Sequence, residues 1–245
     1  MSDRDPSRYQ IVREHGRGGI GRVLEARDEE LGRRVALKEL LQQASVEDES
    51  RFFREARLTA RLEHPSIVPV HDAGRWRETG KAFYSMKLVS GRSLQAIAHD
   101  ASTFEARIAL VPNVLAVAEA IAYAHSQRIV HRDLKPANVI VGPYGETIVI
   151  DWGLAKELGD RRTPSPDGAA MLTRDTPDGA ALTMAGSVMG TPAFMAPEQA
   201  RGDDVDERAD VYALGTMLYF VLSGVLPHEG ESAKSTREFI PTTLW

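Results

Sequence analysis

Polar residues crowd one short stretch of the chain, "HRDLKPAN", which supplies His131, Arg132, Asp133, Lys135 and Asn138 directly after the apolar "RIV". As a bland reading, this is a solvated polar loop. Against it, an acid, a cation and an amide at fixed offsets between apolar segments are costly to place without partners. Asp133 could accept a hydroxyl proton, Lys135 could steady a phosphoryl oxygen, and Asn138 is a hard oxygen ligand of the kind Mg2+ takes. A second acid, Asp151, stands at the end of the β-forming run Thr147-Ile148-Val149-Ile150, with Trp152 and Gly153 behind it. By itself Asp151 reads as a strand-to-turn cap. Beside Asn138 it becomes a second oxygen ligand.

Two further groups lie upstream. "GRGGIGRV" holds Gly16, Gly18 and Gly21 in the G-x-G-x-x-G pattern, which lets backbone approach a phosphate. A dinucleotide fingerprint of this form must open a helix. Here "RVLEARD" follows, with strand-like alternation at Val23, so that version is disfavoured. "VALK" ends a β-run at Lys38, and the next helical stretch carries Glu55 between the apolar Phe52 and Ala56. An acid beside core-facing positions needs a cationic partner, and Lys38 is the candidate.

These residues must be held by elements. "YQIVREHGRGGIGRVLEARDEELGRRVALKEL" reads as a meander of strands. "DESRFFREARLTARLEH" reads as a helix ended by Pro65, and "SIVPVHDAGRW" and "KAFYSMKLV" as two more strands. Composition turns helical after "SGRSL", which places a lobe boundary near Val89 to Ser93. The longest helical pattern runs from Phe104 to His125, with a stripe at Val111, Val114, Leu115, Ala118, Ile121, Ala122 and His125. Pro112 must kink it or mark a late start. Residues 157–189 are rich in Thr, Ser, Pro, Gly, Asp and Ala, with an imperfect duplication, "TPSPDGAAMLT" and "TPDGAALT"; this reads as a mobile loop. "DVYALGTMLYFVLSG" returns to an apolar helix, expected to be buried on most sides.

Bulk properties bound the function. The chain has 245 residues, 42% hydrophobic and 27% charged, with net charge -5 and no cysteine. That is an ordinary globular composition. It lacks the concentrated basic face that nucleic acid needs, and it excludes disulfides and Cys-ligated metals. The charged start "MSDRDPSRYQ" does not resemble a signal peptide, and no uninterrupted apolar run approaches a membrane span. The expectation is a soluble, cytoplasmic protein with no nucleic-acid partner and no membrane segment.

Taken together, Gly16-x-Gly18-x-x-Gly21-x-Val23, "VALK", "HRDLKPAN", "DWG" and "APE" occur in the order and spacing of the protein-kinase signature set. The chain resembles the eukaryotic-like (Hanks-type) serine/threonine kinases of bacteria, also through "HPSIVPVHDAG", "GTPAFMAPEQA" and "ADVYALGTMLY". The resemblance covers residues 9–230. It implies an α+β, two-lobed fold: a β-rich N-lobe with one main helix (9–89) and a mainly helical C-lobe (90–230) containing an activation segment (151–198). Residues 231–245 form an atypical tail.

The resemblance also implies roles. ATP and Mg2+ are the cofactors, and protein Ser/Thr hydroxyls the substrate. The glycine loop covers the phosphates, with Val23 and Ala36 also in the nucleotide site. Met86 is the gatekeeper, and Lys87 to Val89 the hinge toward adenine. Lys38 holds the α- and β-phosphates and pairs with Glu55. Asp133 takes the hydroxyl proton, Asn138 and Asp151 bind Mg2+, and Asp210 braces the catalytic loop. Lys135 with Thr191 marks the Ser/Thr class. Arg132 meets a phosphate on the activation segment, for which Thr163, Ser165, Thr173, Thr176, Thr183 and Ser187 are available, Thr183 and Ser187 being favoured.

Three departures stand out. Trp152 replaces the family's Phe, and Thr59 is polar where Leu or Met is usual. After "LSGVLPHEGES" nothing resembles the family's further helices, one of which supplies an arginine for Glu198. The C-lobe is therefore expected to lack its last helices and to expose a helix carrying Tyr212, Leu214, Leu218 and Leu222, open to a partner or a second copy. Two rivals follow: an ATP-binding pseudokinase or scaffold, and a small-molecule phosphotransferase, which "HRDLKPAN" with "GTPAFMAPE" disfavours.

Overall fold

The computed structural model describes residues 3–18, 20–41, 44–159 and 192–227. In chain order these form β1 (Asp3–Arg4), β2 (Tyr9–Arg17), β3 (Gly21–Asp28), β4 (Arg33–Leu40), α1 (Val46–Ala60), β5 (Val70–Trp76), β6 (Ala82–Lys87), β7 (Arg92–Ser93), α2 (Leu94–Asp100), α3 (Phe104–Ile108), α4 (Val111–Ser126), β8 (Ile129–Val130), β9 (Val139–Val141), β10 (Thr147–Val149), β11 (Lys156–Glu157), α5 (Pro197–Arg201) and α6 (Glu207–Ser223). The chain divides into two compact units, Met1–Gly91 with Ile140–Leu154, and Arg92–Val139 with Ala155–Trp245. The first is the β-rich lobe with one main helix and the second is mainly helical.

A six-stranded sheet in the order β1-β5-β6-β4-β3-β2 builds the first unit. Register decides which side chains share a face. Val23 pairs with Lys38, and Lys38 with Tyr84. One step along, Glu25 pairs with Ala36, and Ala36 with Met86. Because side chains alternate with period two, Val23, Ala36, Lys38, Tyr84 and Met86 line one face. The other face carries Leu24, Ala26, Val35, Leu37 and Phe83, which close with Tyr9 and Trp76 into a core. Trp76 stacks on Phe83 with ring centroids 3.6 Å apart, and Tyr9 meets both rings edge-on.

Helix α1 packs on the Lys38 side through Phe52, Phe53 and Ala56, against Leu40, Ala82 and Tyr84. A capping box starts it: Ser45 accepts from the Asp48 amide while Asp48 accepts from that of Ser45, satisfying two otherwise orphaned donors. Thr59, the polar departure, is buried and donates to the Glu55 carbonyl at 2.8 Å. Its hydroxyl is therefore satisfied within its own helix.

The two units do not coincide everywhere with the expected lobe bounds. All of 90–230 is expected in the second lobe, yet 140–154 belongs to the first unit. The reason is a backbone exchange: the Val149 amide donates to the Ser66 carbonyl at 2.8 Å, and the Val68 amide to the Val149 carbonyl at 3.3 Å.

In the second unit, Pro112 marks a late start. Thr103 caps α3 by accepting from the Ala106 amide, the chain turns at residues 109–110, and α4 begins with proline in its first turn. The buried stripe of α4 is Val114, Val117, Ala120, Ile121 and Ala124. The expected face was rotated: Leu115 is 59% exposed and Ala122 faces solvent. A helix apolar on nearly all sides offers several equivalent stripes, so periodicity alone cannot select one. By length and composition alone one described stretch, Phe104–Ser126, could cross a membrane, although Glu105, Arg107 and Glu119 interrupt its apolar run. This stretch breaks into α3 and α4, both of which pack on α6. Helix α6 buries Ala209, Asp210, Ala213, Thr216, Met217 and Val221, but leaves Val211 and Tyr219 exposed and Leu218 at 37%. It is covered on one side, not on most. Tyr212, Leu214 and Leu222 are half-buried. The tail, residues 231–245, lies outside the described residues.

Two predictions follow from the packing. Gly91 has φ +143°, and a Cβ there would run into the Val141 carbonyl. Gly91→Ala should lower the thermal midpoint by roughly 5 °C or more, combining backbone strain of about 1–3 kcal/mol with the clash. Gly145→Ala, at φ +84° with open space around it, should cost less, and equal shifts would remove the close approach as the cause.

The second concerns acid. Asp28 is fully buried and receives both Arg8 bonds at 3.2 Å, with Arg33 at 3.7 Å. The Arg8 hydrogen bond holds its carboxyl below the usual range. A depressed folded value gives stability that is present above the unfolded pKa of about 3.9 and lost as pH falls through the folded one. Urea midpoints of Asp28→Asn should therefore lie below the parent's at pH 6 and converge on them below about pH 4. A gap that stays constant through the acid range would contradict this linkage.

Candidate active site

The residues singled out in the sequence fall into two groups, one in each unit. In the first unit, Lys38 Nζ lies 2.6 Å from Glu55 Oε1. Both are held by regular structure: Lys38 by the β4 register, Glu55 by the buried face of α1. Glu55 is 6% exposed, and the Tyr84 hydroxyl donates to the same oxygen at 2.6 Å. Burial, then the neighbouring Glu55 carboxylate, push the Tyr84 phenol well above its ordinary value.

The glycine-rich stretch joins β2 to β3. Gly16 pairs with Val23, and the Gly18 amide donates to the Gly21 carbonyl at 2.8 Å. It is thus a strand–turn–strand, and no helix follows it. Val23, Ala36 and Met86 lie on the face that presents Lys38. Lys87 ends β6, its amide bonded to the Pro69 carbonyl at 3.1 Å, and Val89 follows half-buried.

Asp151 also belongs to this unit. It is exposed and holds φ +63°, in the left-handed region. Such a conformation in a non-glycine residue persists only where the surroundings impose it, and it concentrates at functional sites. Trp152 behind it is the largest fully buried side chain. A Cβ on Gly153 would sit 3.2 Å from Asp151 Oδ1 and 3.3 Å from Glu55 Oε2. Gly153 is therefore the point where backbone approaches both acids.

In the second unit, "HRDLKPAN" connects β8 to β9. Lys135 Nζ donates to both oxygens of Asp133, at 3.0 and 2.9 Å. Asn138 sits in a 3-10 turn, and its Nδ2 donates to the Asp133 carbonyl at 2.8 Å and to Asp133 Oδ2 at 3.2 Å. With its nitrogen committed, Asn138 is left with the carbonyl oxygen Oδ1 to offer a cation. The Asp133 amide donates to His131 Nδ1 at 3.2 Å.

The backbone of this segment is pinned from behind. Asp210, 1% exposed at the start of α6, accepts the His131 amide at 2.8 Å and the Arg132 amide at 2.9 Å. His125 Nε2 bonds the same carboxylate at 2.8 Å. On the other side, Gln199 of α5 donates to the Arg132 carbonyl at 2.7 Å. Arg132, with φ +70°, is thus clamped through both its amide and its carbonyl.

The sequence reading missed three of these contributors. In sequence Tyr84 reads only as part of a strand, because its place opposite Lys38 comes from the sheet register and not from a local pattern. His125 was assigned to an apolar stripe, and Gln199 follows Glu198 of "APE" without having been weighed. Thr163, Ser165, Thr173, Thr176, Thr183, Ser187 and Thr191 lie outside the described residues.

The described residues hold no group of three or more His, Cys, Asp or Glu able to bind a metal. Mg2+ does not require one, since it keeps several waters and takes one or two protein oxygens with substrate phosphates. The Asn138 carbonyl oxygen and the exposed Asp151 carboxylate fit that donor chemistry.

Comparison with known proteins gives a consistent answer. A family model described as "Protein kinase domain" matches residues 9–243, beyond residue 230 where the motif resemblance stops. The serine/threonine-protein kinase PknD of Protochlamydia amoebophila is 33% identical over 252 residues, covering 97% of this chain and 25% of that protein. The serine/threonine-protein kinase pkn3 of Myxococcus xanthus is 38% identical over 234 residues, covering 92% of the chain and 39% of that protein. The serine/threonine-protein kinase PknA of Mycobacterium tuberculosis is 38% identical over 231 residues, covering 92% and 49%. The chain thus spans about a quarter to a half of the length of these relatives. With the signature motifs seated on a β-rich unit and a helical unit, and the family model spanning nearly the whole sequence, the chain belongs to the protein kinase domain family.

Proposed function

We propose that the chain transfers the γ-phosphoryl group of Mg-ATP to serine and threonine hydroxyls of protein substrates. The observation that carries this reading is the Asp133 constellation, a half-buried carboxylate gripped by Lys135 and Asn138 on a backbone that Asp210 fixes. Phosphoryl transfer asks the protein mainly for positioning and for neutralisation of charge. A carboxylate whose direction is set by two side chains and a pinned main chain answers the first demand.

In this reading Asp133 orients the incoming hydroxyl and accepts its proton as the oxygen attacks the γ-phosphorus, whose bond to the β,γ-bridging oxygen breaks so that ADP leaves. Lys135, already on Asp133, steadies the transferring phosphoryl oxygens. Lys38, held by Glu55, binds the α- and β-phosphates under the Gly16–Gly21 turn. Val23, Ala36, Met86, Lys87 and Val89 receive the base. Asn138 and Asp151 would hold Mg2+, which supplies charge neutralisation on the phosphates. The relatives' names and Lys135 favour serine and threonine over tyrosine, with Thr191 as the family's second marker of that class.

Regulation by autophosphorylation on the activation segment, at Thr173, Thr176, Thr183 or Ser187, is part of the proposal. A phosphate there gains charge-assisted hydrogen bonds from a cation such as Arg132 and orders its segment. Thr183 and Ser187 are favoured because they lie nearest "GTPAFMAPE".

The deciding experiment is transfer of labelled γ-phosphate from Mg-ATP to the chain itself and to a generic basic protein, beside Asp133→Asn. Transfer should fall about 10^2- to 10^4-fold in the variant and vanish when EDTA removes the metal. Label that persists in folded Asp133→Asn would sink the assignment. Absence of transfer from folded, nucleotide-binding parent protein would favour a scaffold instead. Mass spectrometry after incubation with Mg-ATP should then find phosphate on Thr183 or Ser187. An activation segment without phosphate, in protein that labels a substrate, would remove the regulatory part alone.

A further inference from the structure

The Lys38–Glu55 pair has a third member. Register places Tyr84 directly opposite Lys38, and its hydroxyl reaches Glu55 Oε1 at 2.6 Å, the length of a charge-assisted O–H···O bond. The ring is buried, meets Phe52 of α1 with centroids 5.1 Å apart, and carries the Lys38 ammonium 5.8 Å from its centre. One carboxylate oxygen therefore accepts from a strand cation and a strand phenol at once.

These two donors differ in what else they can do. Lys38 is the more exposed, with 19% of its side chain accessible where Tyr84 is 4% exposed, and in the proposed mechanism it must also serve the phosphates. Were Lys38 the sole partner, every shift toward nucleotide would weaken the hold on a buried carboxylate, and stranding such a charge is costly. Tyr84 has no second task. Its raised pKa keeps the phenol a donor through the physiological range.

We infer that Tyr84 is a positioning residue for phosphoryl transfer, its hydroxyl anchoring Glu55, and with it helix α1, while Lys38 engages the nucleotide. This rests on the reading of Lys38 as the phosphate-binding lysine. The Arg75–Glu49 ion pair between β5 and α1 adds to the same seating of the helix. Tyr84 acts only through Glu55.

A double-mutant cycle separates this from a packing role. Tyr84→Phe keeps the ring and removes the hydroxyl. It should lower kcat/KM for ATP about tenfold, the size of one hydrogen bond to a charged group, while KM for the protein substrate stays unchanged. Affinity for Mg-ADP, measured by calorimetry, should fall in parallel. In a Glu55→Ala background the same substitution should change Mg-ADP affinity by less than twofold. Retention of kcat/KM and affinity within twofold in Tyr84→Phe overturns the inference, as does an equal loss in both backgrounds. Because Mg-ADP affinity needs no turnover, the cycle decides on Tyr84 even if the parent proves unable to transfer phosphate, an outcome that would refute the catalytic reading separately.

Discussion

Each unit is organised by one buried carboxylate that cannot be left alone. In the first it is Glu55, which takes a strand lysine and a strand phenol on a single oxygen. In the second it is Asp210, which takes two consecutive backbone amides and an imidazole. A buried charge is tolerable only when its surroundings supply donors in good geometry. The demand of each acid therefore becomes a constraint on everything it touches: the seating of α1 against β4 and β6 in one case, the path of the backbone leading to Asp133 in the other. Lys38 and Asp133, the groups proposed to carry the chemistry, are half-exposed residues held from behind by these acids.

The sheet contributes a different kind of constraint. Because its side chains alternate, the same β4 strand sends Val35 and Leu37 into the aromatic core and Ala36 and Lys38 to the face that carries Tyr84 and Met86. A slip of one residue would exchange the two sets completely. The stacked Trp76 and Phe83, with Tyr9 bonded to Ser85 through its hydroxyl, make that slip expensive. Precision at Lys38 is thus secured on the opposite side of the sheet from the site.

Much of this was legible in the sequence. The strand meander, the α1 helix and the glycine turn follow from alternation, capping and motif spacing, since each is a local property of neighbouring residues. What escaped was non-local or degenerate. Pro112 could signal a kink or a start, and only the turn at 109–110 decides. Helix α4 is too uniformly apolar for its face to be chosen by period. Tyr84 reads as one more β-former until the register sets its hydroxyl against an acid on a helix. Residues 140–154 follow the helical stretch in sequence but join the first unit through Val149, a pairing 80 or so positions distant that no local pattern encodes.

The left-handed backbone at Asp151 and Arg132 carries a consequence for how these positions tolerate change. Aspartate and asparagine visit that region more readily than other side chains, so Asp151 can be stripped of its charge as Asn with its local conformational bias intact. Alanine would remove charge and bias together. Arginine has no such leaning, and the turn at Arg132 is gripped through its backbone by Asp210 and Gln199. One unusual backbone conformation is thus eased by its own residue type, whereas the other leans on the distant side chains that hold it.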